Sequence, residues 1–186
     1  QDTVVNLTNH AYYNLSGNLK SDIMDQELQV NSSKALKLDE KFCPESVYDS
    51  RGTHLDFREM KPIKDNFFDG IYDLPEKGID NPMLLDQVDF NIPQVILKDN
   101  VSKRIMEVYT TYPCVVVYTH NHITKKELLF GAEHRRHMGI CFETQFEPNG
   151  MNVKGLSNSI LLKDEVYYEK TLLKFKIGEW WYDHVF

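Results

Sequence analysis

The sequence contains no apolar run approaching the roughly 18 residues that a membrane helix requires. Its opening residues, Gln1 to Asn9, hold no basic stretch leading into an apolar one. Together these absences lead to the expectation of a soluble, unexported, cytoplasmic chain with no membrane partner. A basic block is missing too. The 28 acidic side chains outweigh 21 basic ones for a net charge of −7, and nothing along the chain could neutralise a run of phosphates, so nucleic acid is not an expected partner. Cysteine is scarce: Cys43, Cys114 and Cys141 are odd in number, far apart and outside any CxxC arrangement. Neither a disulfide framework nor a thiolate zinc knuckle follows, and buried, reduced thiols are expected. Helical periodicity over a dozen residues is absent, with room for a short helical turn only at Asn66 to Tyr72 or Lys125 to Phe130. No repeat, low-complexity tract or linker divides the chain.

What is present fits one folded unit. The 186 residues are 41% hydrophobic and 26% charged, ordinary values for a globular domain and too apolar for a disordered segment. Runs rich in β-branched and aromatic residues recur at Thr3 to Thr8, Glu27 to Val30, Gln94 to Leu97, Ile105 to Thr111, Val115 to Thr119, Ile140 to Phe146, Ser159 to Leu162 and Tyr167 to Ile177. Turn signals separate them, among them Ser16-Gly17-Asn18, Asp69-Gly70, Asn81-Pro82, Asp99-Asn100 and Pro148-Asn149-Gly150. Short strands with regular punctuation predict an all-β protein, a large antiparallel β-sandwich. Val4, Val5 and Leu7 read as mid-sheet residues at the very start, so the sandwich is expected to lack its N-terminal part. Residues 1–177 are taken as the sandwich domain and 178–186 as a tail, with Trp180, Trp181, Tyr182 and Phe186 in no assigned role. Ten Tyr and ten Phe suit strands, and they also suit stacking on sugar rings.

Three places carry side chains capable of chemistry. In Ile140-Cys141-Phe142-Glu143-Thr144-Gln145-Phe146 the strand period of two puts Ile140, Phe142, Thr144 and Phe146 on one face and Cys141, Glu143 and Gln145 on the other. A carboxylate inside so apolar a strand needs partners or a task, because desolvating it is costly; Glu143 either lines a cleft or stands on an open sheet face in water. The same counting aligns Asn6, Thr8 and His10, although a lone histidine is more often structural than catalytic. His120-Asn121-His122 together with His134 and His137 could bind zinc, against which Glu133 to His137 reads as a solvated loop. No metal is expected.

The segment from Asn6 to Gly17, NLTNHAYYNLSG, closely resembles the Thr-Asn-His signature of the aldose 1-epimerases, or galactose mutarotases. In the same order follow Leu55-Asp56-Phe57-Arg58, Gly78-Ile79-Asp80-Asn81, Glu107-Val108-Tyr109-Thr110-Thr111, Tyr118-Thr119-His120-Asn121 and Phe142-Glu143-Thr144-Gln145, all similar to that family's blocks. Each alone is weak, but six in order from Val4 to about Ile177 are specific. The resemblance implies an antiparallel β-sandwich with an open sugar cleft, a free hexose as small-molecule partner and no cofactor. It implies Glu143 as general base on the anomeric hydroxyl, His10 as the acid that protonates the ring oxygen, and Asp80, Asn9 and Gln145 as sugar-binding residues. The family also carries an upstream arginine and second histidine that hold the sugar, to which nothing in these residues corresponds. Val116 stands where some members have a substrate-binding glutamine, and Asn81 where a histidine is common.

The residue types suit the reaction. Exchange of anomers requires the C1 hydroxyl to lose a proton while the ring oxygen gains one; the ring opens, turns about C1–C2 and recloses. One base and one acid suffice, and neither is consumed. A catalytically silent sugar-binding module on the same sandwich is the alternative implied by a shortened chain.

Overall fold

The computed structural model describes residues 1–67, 77–123, 131–157 and 159–178. Among these residues twelve strands run in chain order: β1 Thr3–Val4, β2 Glu27–Val30, β3 Lys34–Leu38, β4 Pro44–Asp49, β5 Lys61–Pro62, β6 Asp80–Leu84, β7 Val95–Lys98, β8 Arg104–Thr110, β9 Cys114–Tyr118, β10 Cys141–Gln145, β11 Ile160–Leu161 and β12 Thr171–Ile177. Two five-stranded sheets result, ordered β10-β9-β6-β3-β4 and β12-β8-β7-β2-β5, beside a two-stranded β1-β11 pair. Every pairing among them is antiparallel. The described residues therefore form the all-β antiparallel sandwich expected from the strand runs. Among them no helix is long and apolar enough to cross a membrane. A 3₁₀ turn is formed at Ile63–Asn66; most of Asn66 to Tyr72 and all of Lys125 to Phe130 lie outside the described residues, as does the tail from 179 onward with Trp180, Trp181, Tyr182 and Phe186.

The core sits between the two larger sheets. Ala35, Met83, Val115, Val117 and Phe142 enter it from one side, and Leu28, Val30, Val95, Leu97, Met106 and Val108 from the other, all essentially inaccessible. Strand β7 shows how the pattern produces this: Val95 and Leu97 are buried while Ile96 and Lys98 are half-exposed, the period-two signature of a sheet wet on one face. Each fully buried Leu, Ile, Val or Phe contributes about 1.5–3 kcal/mol. Strand β9 is buried throughout, because Val115 and Val117 face the core while Val116 and Tyr118 lie beneath the opposite, cleft-bearing face.

Several expectations are corrected. Of the run Thr3 to Thr8 only Thr3–Val4 is strand; Val4 is 54% and Leu7 63% exposed. Strands β3, β4, β5 and β6 fall outside the expected runs, and Asn81-Pro82, read as a turn, lies inside β6. Thr119 N–H donates to Ile79 O, so the antiparallel alternation turns the Pro82 nitrogen away from β9. On that side β3 pairs only with Met83 and Leu84, so the missing N–H leaves no ladder bond unmade. Cys114 and Cys141 are buried free thiols as expected, but Cys43 is exposed.

The entry to β6 is held by a buried polar clip. Ile79 N–H donates to Thr119 Oγ1 (2.9 Å), Thr119 Oγ1 to Asn121 Oδ1 (2.7 Å) and Asn121 Nδ2 to Ile79 O (2.9 Å). Gly78 lies directly against this clip: a Cβ there would stand 2.1 Å from Asn121 Oδ1 and 2.8 Å from Thr119 Oγ1. Gly78→Ala is expected to lower stability by about 1–3 kcal/mol, as overpacking does. Urea unfolding checks this; an unchanged midpoint would show that the clip yields.

Candidate active site

Strand β10 is the edge of its sheet, and a segment near the N-terminus closes that edge at two points. At one, Phe146 N–H donates to Asn6 Oδ1 (2.9 Å) and Asn6 Nδ2 to Phe146 O (3.0 Å). At the other, Tyr13 and Ile140 exchange backbone hydrogen bonds of 2.8 and 2.9 Å. Between these anchors the segment is one residue longer than the strand it follows, so it arches away. The arch, rather than a continued strand, carries His10. The expected alternation of Asn6, Thr8 and His10 on one strand face is therefore not what brings His10 to the site.

From the arch His10 reaches back over β10. Its Nε2 lies 3.3 Å from Glu143 Oε1, and its Nδ1 3.4 Å from Cys141 Sγ. The imidazole is 56% exposed while the carboxylate is only 14% exposed, so the pair spans the boundary between solvent and protein. Tyr12 and Tyr118 flank the imidazole, with ring centroids 5.1 and 5.9 Å away. The imidazole and the carboxylate are thus in direct contact.

The strand period operates in β10 as read from sequence: Phe142 and Thr144 turn inward, and Cys141, Glu143 and Gln145 share the other face. Register then extends that face across the sheet. Glu143 is opposite Val116, which is opposite Pro82; Cys141 is opposite Tyr118, which is opposite Asp80. A cleft of about 210 Å³ lies there, and Asp80, Glu143 and Gln145 all line it, with Phe42 and Pro148 at its rim. Leu38, Phe42 and Asp80 also line a larger neighbouring cavity of about 640 Å³. The structure therefore gathers Glu143, His10, Asp80 and Gln145. Asn9 is not brought to the cleft by any described contact; its Oδ1 accepts from Ala11 N–H (3.3 Å), which shapes the arch. Sequence reasoning missed Phe42, because the β3-β4 hairpin that presents it was not recognised.

Electrostatics follow from burial. Desolvation pushes the Glu143 carboxyl above the usual carboxylate range, and the His10 imidazole partly pulls it back. Burial, aided by Glu143 and Asp80, pushes the Cys141 thiol up to about 12. The Tyr12 phenol is likewise raised, to about 12, chiefly by burial.

The histidine group considered for zinc is only partly assembled. His120 and His134 stack at 4.9 Å with their Nε2 atoms 2.9 Å apart, but His137 is buried with Nδ1 against Thr119 O (2.9 Å). His120 lies past the end of β9 with φ of 51°, so it does not share a strand face with His122. Among the described residues, the three side chains whose ligand atoms converge are His10, Cys141 and Glu143.

The described residues thus define an antiparallel β-sandwich protein with a carboxylate and an imidazole in contact beside a cleft. Residues 1–174 match the family model described as aldose 1-epimerase, and the chain belongs to that family. The galactose mutarotase of Mus musculus is 34% identical over 181 residues, which is 96% of this chain and 52% of that protein. Among solved structures, galactose 1-epimerase from Lactobacillus acidophilus is 29% identical with a TM-score of 0.72, covering 96% of this chain and 51% of that one. An aldose epimerase homologue from C. elegans, at 22% identity, has a TM-score of 0.80 over 96% of this chain and 53% of its own, which shows the shared fold. The chain spans about half the length of the curated relatives it matches.

Proposed function

We propose that this chain interconverts the α and β anomers of a free aldohexose, with Glu143 as general base and His10 as general acid. The observation that carries the reading is the 3.3 Å contact between His10 Nε2 and Glu143 Oε1 at a cleft that Asp80 and Gln145 also line. The C1 hydroxyl and the ring oxygen are bonded to the same carbon, so the groups serving them must be close neighbours. Glu143 takes the hydroxyl proton as the ring C–O bond breaks, and His10 delivers a proton to the departing ring oxygen. Rotation about C1–C2 exposes the other face of the aldehyde. Reclosure returns the hydroxyl proton from Glu143 and restores that of His10, so both end as they began. Asp80 and Gln145 would hold sugar hydroxyls, and Phe42 offers an apolar ring face to the sugar. The chemistry consumes no cofactor.

Polarimetry of freshly dissolved α-D-galactose and α-D-glucose tests this reading. The expected result is a saturable acceleration over buffer. A sugar-binding role without catalysis is the second reading; it predicts binding with the buffer rate unchanged.

The raised Glu143 pKa gives a signed pH expectation. The active species is the carboxylate, which is lost as pH falls through the raised value. The acid limb of kcat/KM should therefore lie above the ordinary glutamate value of about 4.3. A limb at or below that value would contradict the assignment.

A further inference from the structure

We propose that His10, Cys141 and Glu143 form a three-ligand site for a borderline-soft divalent cation, Zn²⁺ or its spectroscopic substitute Co²⁺, whose occupation shuts off the acid–base pair. One ligand atom from each of the three lies within 4.8 Å of the other two. Tetrahedral zinc with its usual bond lengths holds such ligand atoms about 3.4–3.6 Å apart. The approaches of His10 to Glu143 (3.3 Å) and to Cys141 (3.4 Å) are already of that size. The imidazole meets them through different ring nitrogens, so it must turn to bind; it is the exposed partner and sits on an arch, so it is the ligand able to adjust.

The donor set selects the ion. A thiol, an imidazole and a carboxylate suit zinc, whereas magnesium and calcium take oxygen ligands. Three protein ligands leave a fourth position for water. Charge also balances, since one thiolate and one carboxylate neutralise the dication in a partly buried place. Glu143 and Asp80 place carboxylates on the same sheet face as Cys141, and their negative charge attracts a dication. On binding, the S–H bond breaks, a metal–sulfur bond forms and the proton leaves to water, so affinity rises with pH. Only the inhibitory consequence rests on the proposed function.

The test is a Co²⁺ titration of the purified chain without sugar, followed by absorbance, with zinc competition. We expect one equivalent to produce a thiolate-to-cobalt charge-transfer band that zinc abolishes. Cys141→Ala should lose the band and weaken zinc binding by at least roughly tenfold. Cys43→Ser, which removes the exposed thiol, should retain it. Cys141→Ser serves as a second variant should the alanine form melt early in circular dichroism. Absence of the band, its loss in Cys43→Ser instead, or equal zinc affinity in the Cys141 variants overturns the proposal. In a parallel arm, stoichiometric zinc should stop mutarotation and a chelator should restore it. Because the absorbance arm needs no turnover, it stands whether or not the chain proves to be an epimerase.

Discussion

Glu143→Gln is expected to remove the acceleration of mutarotation, lowering kcat/KM by at least about 10²–10⁴-fold, the range contributed by one positioned proton transfer. The amide fills nearly the same volume beneath the arch but cannot accept a proton. Stability should not fall with activity. The fold raises the Glu143 pKa, so at neutral pH it disfavours the charge that the substitution removes, and thermal unfolding should be unchanged or slightly higher. A variant that melts early and loses activity in proportion would make Glu143 a structural residue.

His10→Asn should cost nearly as much in rate, again about 10²–10⁴-fold. Its effect on stability is expected to stay within about 0.5 kcal/mol, because the side chain is 56% exposed and the arch is pinned independently by Asn6 and Tyr13. The substitution also removes the group that pulls the Glu143 pKa down, so the acid limb of any residual activity should move to higher pH. Polarimetry across a pH series checks both points; residual activity with an unmoved limb would show that the two groups do not communicate.

The sandwich was legible because its core strands keep period-two burial: Val95 and Leu97, or Phe142 and Thr144, point inward wherever the alternation says they should. Strands β3 and β4 were not, since Lys34, Lys37, Glu45 and Asp49 give the hairpin a polar text that reads as loop. Strand β6 was hidden by Pro82, whose position depends on how far β3 pairs, a tertiary fact absent from local sequence. Strand geometry alone placed Glu143 on the face with Cys141 and Gln145 but left open whether that face was a cleft or open surface. It could not place His10, because an extra residue lifts it out of register, and only the resemblance across six blocks indicated its role. The histidine pattern was misread in a related way: a left-handed backbone at His120 breaks the strand face that it was read to share with His122.

The most direct test of the paired-group account is the mutarotation rate of α-D-galactose measured for the unaltered chain, both single variants and the Glu143→Gln/His10→Asn double variant. If base and acid act in one event, the double variant loses little more than the worse single variant. Losses that multiply, or an unaltered chain no faster than buffer, would contradict it.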